Sequence, residues 1–275
     1  MGFSSRILLD SVSPAGVRLT TMEVTFPRFV LAEFNTHRNF SRNSASSRAI
    51  PTSKLIERVL REPAIPVEWG RNKKGMSSEE SLDDEARALA LENWLRARDE
   101  AVTRARTFSE LKVHKQIANR VLEPFMWHTV IVTATEWDNF FALRSSPNAQ
   151  PEIHVASDLM RDALAGSSPR PLALGDWHLP LLQDDERGLP VDRRKKISVA
   201  RCARVSYLTH DGTRNIEADV ALFERLKEDR HLSPFEHVAT PARNVAFHAN
   251  VRGWVQMRKE IEADEPCFKA SSAST

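Results

Sequence analysis

VRLTTMEVTFPRFVLAEFNTHRNFSRNSASSR, residues 17–48, contains a strand pattern, a helix pattern and a polar loop in immediate succession. Apolar side chains alternate with polar ones between Met22 and Phe26, which predicts a half-buried strand. Pro27 suits the first position of a helix, and we expect that helix to run toward Thr36. This region therefore predicts a mixed α and β architecture.

The end of this region, SRNSASSR at residues 41–48, is dense in small hydroxyl side chains between two arginines, which predicts a loop. Guanidinium groups and neutral hydroxyl donors are the groups that bind a phosphate. A solvated surface loop has the same composition, so composition alone leaves both interpretations open.

Helix signals return after an exposed connection. Ser81 with Asp84 resembles a capping box, which predicts the start of a long amphipathic helix whose apolar stripe begins at Leu82. The next helix should end at Glu123, because Pro124 disfavours helical geometry in the residue before it. This ending places Arg120 in the last turn of that helix.

The following segments alternate between strand and helix. A short buried strand is predicted at Val130–Val132, followed by a helix that has Thr135 near its N-cap and carries Arg144 off its apolar face. Pro151 suits the start of another helix, which should end at Gly166.

Residues 167–195 are rich in proline, glycine and charge, which predicts a linker or a surface excursion. After them come an apolar segment at about residues 199–207, a turn at Asp211-Gly212 and a helix near Ile216. The tail after Glu265 is expected to fray.

Composition limits the class of ligand. The 275 residues include 39 basic and 37 acidic side chains, so the net charge of +2 gives no field for a nucleic acid or a membrane surface. A small anion bound by a few arginines fits better. The two cysteines are unpaired in spacing, no apolar segment suits a membrane span, and no zinc-type ligand spacing occurs. We therefore expect a reduced, cytoplasmic protein that binds no metal.

Three polar clusters are candidates for chemistry. The first is Thr36-His37-Arg38 with residues 41–48, the second surrounds Asn139 and Arg144, and the third is HLSPFEH at residues 231–237. A solvated loop, a surface charge and a helix cap explain the three clusters when each is considered alone.

Taken together, the clusters resemble the flavin-dependent thymidylate synthases. Residues 36–48 are similar to that family's Arg-His-Arg, Ser, Asn-Glu, Ser, Arg motif, and residues 139–153 are similar to its Asn, Phe, Arg and Ala-Gln-x-Glu-Ile helix. Residues 203–207 and 231–237 resemble its Ala-Arg-Val-Ser-Tyr and His-x-Ser-Pro-Phe-Glu-His segments. In the family these two segments precede Arg-His-Arg, so this chain resembles a circular permutation or a partial duplication.

The resemblance implies an α+β fold with a mainly antiparallel sheet and flanking helices. It implies one domain over residues 1–275, with motif halves at 1–166 and 196–262 and a linker at 167–195. The implied activity transfers a one-carbon unit from methylene-tetrahydrofolate to carbon 5 of deoxyuridylate (dUMP), giving thymidylate (dTMP). Flavin adenine dinucleotide (FAD) and NADPH are the implied cofactors, and a homotetramer is the implied assembly.

Two alternatives to this activity stay open. The first is a related methylase or hydroxymethylase that acts on dUMP or deoxycytidylate (dCMP). The second is a homologue that binds a nucleotide without turnover.

The resemblance also implies residue roles. Arg144 would contact the pyrimidine ring and stabilise charge as carbon 5 becomes nucleophilic. The residues implied to hold the nucleotide phosphate or sugar are Ser46, Ser47, Arg48 and Arg120. The residues at the implied flavin positions are Thr36, His37, Arg38, Ser44, Asn139 and Ser233, with His231 beside the flavin and folate.

The sequence departs from the family pattern at two of these positions and at two others. Thr36 replaces the first arginine and Ser44 replaces the glutamate, which removes one charge of each sign from the implied flavin site. The Asn and Arg expected ahead of Asn139 fall near Thr133 and Thr135.

Glu33 lies where the family has a glutamine near the nucleotide. An ionised carboxylate can only accept hydrogen bonds, so it would repel the carbonyl at position 4 of uracil and bind the amino group of cytosine. Glu33 facing the base therefore favours dCMP, whereas Glu33 facing the sugar or solvent leaves dUMP as the substrate.

Overall fold

A five-stranded sheet organises the computed structural model, which describes residues 2–75, 78, 80–205 and 215–264. Its strands are β1 (Ser4–Val12), β2 (Arg18–Pro27), β3 (Ser41–Ser44), β4 (Trp127–Ala134) and β5 (Arg170–Pro171). Their spatial order is β3-β4-β2-β1-β5, and all neighbours are antiparallel except β1 and β5. The predicted α+β fold with a mainly antiparallel sheet is confirmed.

Helices flank this sheet, and short strand pairs follow it. The α-helices are α1 (Leu31–Asn35), α2 (Thr52–Arg61), α3 (Asp84–Glu110), α4 (Lys115–Ala118), α5 (Asp138–Arg144), α6 (Pro151–Ala165), α7 (Val191–Ala203), α8 (Ile216–Glu228) and α9 (Met257–Asp264). β6 (Ala239–Pro241) pairs with β9 (Trp254–Gln256), and β7 (Phe247–His248) pairs with β8 (Val251–Arg252). None of the helices in the described part of the chain has the length and apolar character to cross a membrane.

The core lies on both faces of β2. On one face, Met22 pairs with Val132 and Val24 with Val130, and these side chains pack against Phe140 of α5 and the buried residues of α6. The opposite face is also covered, since Leu19 and Thr21 are fully buried. The strand prediction is confirmed, but its half-buried character is wrong, because the C-terminal part of the chain packs on the second face.

A chain of hydrogen bonds joins that second face to the C-terminal part. His178 bonds to Ser11 and Thr21 at 2.8 Å each, Thr21 bonds to Thr133 at 2.6 Å, and Thr133 bonds to His237 at 2.8 Å. Burial lowers the pKa of His178 and of His237 to about 3, so both imidazoles are neutral. The network binds three distant segments together without a charge.

Residues 167–195 are largely exposed, as a surface excursion would be, but parts of the segment are built into the fold. Strand β5 pairs with β1, and His178 and Leu179 are buried. Glu186 is also buried and forms two hydrogen bonds with Arg201 of α7, at 2.6 and 2.7 Å. Helix α7 begins at Val191, inside the segment interpreted as a linker, because Pro190 precedes it at the N-cap.

Three local predictions are corrected. The predicted loop at residues 41–48 begins as strand β3, because its backbone pairs with β4, and continues into a 3-10 turn at Ser47–Ala49. The predicted helix ending at Glu123 is divided into α4 and a 3-10 segment, Asn119–Phe125. Thr135 does not cap α5; its hydroxyl accepts from the backbone N–H of Arg252 at 3.0 Å, and Trp137 is the N-cap.

The long helix is confirmed as α3, although Asp83 rather than Ser81 caps it by accepting from the N–H of Ala86 at 2.9 Å. The turn predicted at Asp211-Gly212, the end of the 203–207 motif from Ser206 onward and the tail after Glu265 lie outside the described residues.

Candidate functional site

Arg144 lies at the last residue of α5, where its guanidinium contacts the C-terminal end of α1. Nε donates to Nε2 of His37 at 3.0 Å, and Nη2 donates to the hydroxyl of Thr36 at 3.1 Å and the carbonyl of Glu33 at 3.3 Å. Three acceptors therefore fix one edge of the guanidinium. Among the described residues, Nη1 has no hydrogen-bond partner, so both of its N–H groups are available to a ligand.

His37 is a neutral acceptor for Arg144. Its ring is buried and meets the Phe140 ring edge-to-face at 4.9 Å. Burial, with the positive charges of Arg144 and Arg42, lowers the pKa of His37 to about 4. Because Nε2 accepts from Arg144, the neutral ring carries its proton on Nδ1.

The hydroxyl of Thr36 has two partners in this group. It donates to the carbonyl of Glu33 at 2.7 Å and accepts from Arg144. Its donor and one acceptor position are therefore used within the protein. Threonine at this position orients Arg144, and its donor is not available to a phosphate.

Glu33 contacts Arg144 through its backbone and not through its carboxylate. One carboxylate oxygen, Oε2, is buried and has no hydrogen-bond partner in the described part of the chain. A buried acceptor without a donor is costly, so a ligand that donates here would be favoured.

Ser47 and Arg120, predicted to act together, meet at the carboxylate of Glu123. Oε1 of Glu123 accepts from Ser47 Oγ at 2.9 Å, from Arg120 at 2.8 Å, and pairs with Arg28 at 3.0 Å. Burial raises the pKa of Glu123, but the hydrogen bond from Ser47 and the charges of Arg28 and Arg120 outweigh it and leave the pKa below its ordinary value. The carboxylate thus stays ionised and holds both arginines.

Asn119 fixes the 3-10 turn at Ser47–Ala49, which lies beside this carboxylate. The side-chain amide of Asn119 is buried and donates to the carbonyls of Ser47 and Ile50 at 2.7 and 3.0 Å. Ser46 and Arg48 are exposed on the turn, and Arg48 has no carboxylate partner among the described residues. The arrangement presents a hydroxyl and an unpaired cation, which suit a phosphate.

Sequence reasoning missed Arg28, Asn119 and Glu123 in this group. Glu123 was interpreted only as the end of a helix. The signal that could have identified it is a lone acidic residue three positions after Arg120, the spacing at which side chains on a helix meet.

A third group joins β3 to the C-terminal part. Asn43 donates to the carbonyl of Cys202 at 2.7 Å, and its side-chain oxygen accepts from Ser233 at 3.0 Å. The structure therefore brings Ser233 beside the first motif although 190 positions separate it from Asn43 in sequence.

Four predicted flavin residues are exposed and make no side-chain hydrogen bond with another described residue: Arg38, Ser44, Asn139 and His231. The two positions that replace the family's Asn and Arg have other contacts. Thr133 is fully buried in the histidine network, and Thr135 bonds to the backbone of Arg252. These two threonines are therefore structural in this chain.

Strand β3 connects all three groups. Arg42 donates to the carbonyl of Phe34 in α1 and to that of His37 just after it, at 3.5 Å each. Ser41 and Asn43 instead bond to the C-terminal part. The 3-10 turn at Ser47–Ala49, which we call the phosphate-type turn, follows β3 in the sequence. β3 is an edge strand, so only one of its sides pairs with another strand of the sheet.

No group of three or more His, Cys, Asp or Glu side chains in the described part of the chain could hold a metal ion.

Comparisons with known proteins give a fold and a family. Two solved structures of a UMP/dUMP methylase, PolB from Streptomyces cacaoi, share the fold. The structure bound with 5-Br UMP is 16% identical, with a TM-score of 0.50 over 59% of this chain and 89% of that chain. The structure bound with 5-Br dUMP is 15% identical, with a TM-score of 0.50 over 59% of this chain and 90% of that chain. No curated protein matches the chain.

The family match is independent of these structures. A family model described as thymidylate synthase complementing protein matches residues 11–170. That range includes the Arg144 group and the turn at Ser47, and it ends before Ser233. Because the match spans more than half of the 275 residues, the chain belongs to the thymidylate synthase complementing protein family, the flavin-dependent thymidylate synthases.

Proposed function

We propose that this protein transfers a one-carbon unit to carbon 5 of dUMP and forms dTMP. The observation that carries the proposal is the Arg144 guanidinium, which three acceptors fix while neither donor of Nη1 has a partner in the described part of the chain. A preorganised cation of this kind stabilises negative charge that develops on a pyrimidine ring, without a nucleophilic side chain.

In the proposed complex, Nη1 of Arg144 faces N3 and O4 of the ring. Negative charge moves toward O4 as carbon 5 becomes nucleophilic, and the fixed guanidinium stabilises it. Neutral His37 leaves the charge of Arg144 undiminished, because it accepts a hydrogen bond without contributing a carboxylate. Ser46, Arg48 and Arg120 are proposed to hold the phosphate and sugar. Ser47 is buried and its hydroxyl donates to Glu123, so its proposed role is to position that carboxylate beside Arg120.

Of the residues at the implied flavin positions, the exposed polar ones suit FAD better than Thr36 does. Arg38, Ser44, Asn139 and His231 make no side-chain hydrogen bond within the described ranges, whereas Thr36 accepts one from Arg144. We propose that the four exposed residues, with Ser233, hold the flavin, and that Thr36 positions Arg144. When bound, reduced flavin supplies hydride and methylene-tetrahydrofolate supplies carbon, with NADPH as the proposed reductant.

The proposed assembly is a homotetramer, in which the Arg144 group of one chain and the phosphate-type turn of another share a ligand. The proposed organisation of the chain is a single domain with motif halves at residues 1–166 and 196–262.

The variant Arg144→Ala tests the proposal. We expect the turnover rate to fall about a hundredfold to a thousandfold, because one fixed charge partner is lost from the transition state. Arg48→Ala should instead weaken dUMP binding and leave the rate at saturation near that of the wild type.

Arg96→Ala is the matched control, since Arg96 is exposed on α3 and pairs only with Glu92 among the described residues. Thermal unfolding of each variant checks the fold. Wild-type turnover by Arg144→Ala contradicts the proposed role.

A second candidate is the corresponding reaction on dCMP. The buried and unpartnered Oε2 of Glu33, on the residue whose carbonyl contacts Arg144, favours it. The amino group of cytosine would supply the missing donor, whereas uracil presents a carbonyl.

A further inference from the structure

A cleft of about 520 Å³ lies outside the groups described above. It is bounded by β1, β5 and residues 172–194. Its volume is in the range of small-molecule sites, roughly 300–1,000 Å³. Most of its wall follows residue 170, where the family match ends, so the family pattern does not account for the cleft.

The cleft is positively charged. Arg170, Arg187 and Arg194 line it, together with the single carboxylate of Asp176. Arg187 pairs with Asp184 at 2.8 Å. Within the described ranges, neither Arg170 nor Arg194 has a carboxylate partner at ion-pair distance. Two arginines without an ion-pair partner in the described ranges therefore line one open cleft, together with the single carboxylate of Asp176.

The side chain of Arg194 is partly buried. Its Nε is buried and makes no hydrogen bond in the part of the chain that the structure describes. A guanidinium N–H can only donate, so an acceptor is missing at this position. An anion in the cleft would balance the charges of Arg170 and Arg194 and could accept from the remaining guanidinium donors.

The remaining wall is apolar. Leu179 and Leu182 line the cleft beside Trp177, and these three side chains belong to one hydrophobic cluster. The ammonium of Lys195 lies 4.0 Å from the centre of the Trp177 ring and fixes the indole. A ligand suited to this cleft combines an anionic head with an apolar body.

We propose that this cleft binds a small organic phosphate monoester, with the phosphate on Arg170 and Arg194 and the organic group against Trp177 and the leucines. A phosphate dianion balances the positive charges of Arg170 and Arg194, and its oxygens accept from guanidinium groups that approach in different directions. The site is separate from the Arg144 group, and its occupation does not depend on the proposed methylation.

Calorimetric titration with phenyl phosphate tests the proposal, with saturating dUMP present to compete at the nucleotide groups. We expect one equivalent to bind to the wild type, more tightly than inorganic phosphate or benzoate. Arg194→Gln and Arg170→Gln should each weaken this binding at least about tenfold, the scale of a lost charge-assisted hydrogen bond. Arg48→Ala should leave it unchanged.

Arg194→Gln should also unfold at the same temperature as the wild type or a higher one, because the variant removes a buried donor without a partner. No binding by the wild type, equal binding by the Arg194 and Arg170 variants, or equal affinity for benzoate overturns the proposal. Binding that is lost in Arg48→Ala also overturns it, because it places the phosphate at the nucleotide groups.

Discussion

At the scale of single residues, Arg144 combines what sequence can predict with what it cannot. Helical spacing predicted that this side chain lies off the apolar face of its helix. Its three acceptors belong to residues 33–37, more than 100 positions away. Local patterns contain no information on such a contact, and the family resemblance implied a role for Arg144 at the pyrimidine ring but not these three acceptors.

The same limit applies to Glu33. Sequence could pose the choice between a carboxylate that faces the base and one that faces solvent. The structure adds that one carboxylate oxygen is buried without a donor among the described residues. This feature could not be predicted, because burial of a single atom depends on packing between α1 and its neighbours.

Substitution of Glu33 by Gln tests the choice of base. The amide keeps the shape of the side chain and adds a donor, which can bond to the carbonyl at position 4 of uracil. If Glu33 faces the base, Glu33→Gln should raise affinity for dUMP relative to dCMP by about tenfold or more, the scale of one base contact.

Calorimetric titration of both nucleotides into wild type and variant measures this ratio. Glu57→Gln on α2 is the control, since Glu57 is exposed and lies outside every site group. A preference for dUMP in the wild type that Glu33→Gln leaves unchanged eliminates the dCMP reaction.

At the scale of elements, strand β3 was predicted as part of a loop. Its serine-rich and asparagine-rich composition is typical of loops. The backbone of Ser41–Ser44 nevertheless pairs with β4, because that strand offers an unpaired edge of buried apolar residues. Tertiary pairing thus outweighs the local preference, and it gives the site residues at 36–48 a rigid support.

Helix α7 shows the opposite case, in which charge conceals a buried element. Arg201 is buried and bonds to the carboxylates of Glu186 and Asp219, at 2.6 to 3.0 Å. Proline, glycine and charge in residues 167–195 predicted exposure, but the carboxylate of Glu186 is neutralised inside the protein. Sequence alone does not show which charges are paired.

We predict that Arg201→Met lowers the free energy of unfolding by about 3 kcal/mol, because it removes the cation shared by two buried carboxylates. Arg193→Met on the same helix is the matched control. Its exposed pair with Glu217 should contribute about 0–1 kcal/mol. Urea unfolding followed by circular dichroism measures both, and equal effects of the two variants contradict the account of this ion pair.

At the scale of the whole molecule, four buried histidines make stability depend on pH. Burial lowers the pKa of His37 and of His128 to about 4, and that of His178 and of His237 to about 3. In the unfolded chain these groups titrate near 6.5. Between pH 6.5 and about 4 the unfolded state therefore binds more protons than the folded state, so stability falls as pH falls through this window.

Each histidine should contribute a slope of about 1.4 kcal/mol per pH unit below pH 6.5, with little change from the histidines above about pH 7. Urea unfolding at a series of pH values measures the slope. His237→Gln keeps a hydrogen-bonding side chain without the titration, so its slope should be smaller by one histidine. Unfolding free energies that stay constant from about pH 7 to pH 5 contradict this account.

For the whole molecule, the sequence predicts the class of fold but not the long-range hydrogen bonds. The resemblance predicted the fold class and family, and both are confirmed. The hydrogen-bonded chain from Ser11 to His237 was not predicted, because its members are separated by up to 226 positions and none belongs to a recognisable motif except His237. Long-range polar packing of this kind depends on the finished fold.

Methylation of dUMP with Arg144 as the fixed charge can be tested by its product. The most direct measurement is the mass of the nucleotide product after incubation of purified protein with dUMP, FAD, methylene-tetrahydrofolate and NADPH, with dCMP in a parallel reaction. We predict dTMP from dUMP with the wild type and almost none with Arg144→Ala. No product from dUMP, product from dCMP alone, or equal dTMP from both proteins would contradict the claim.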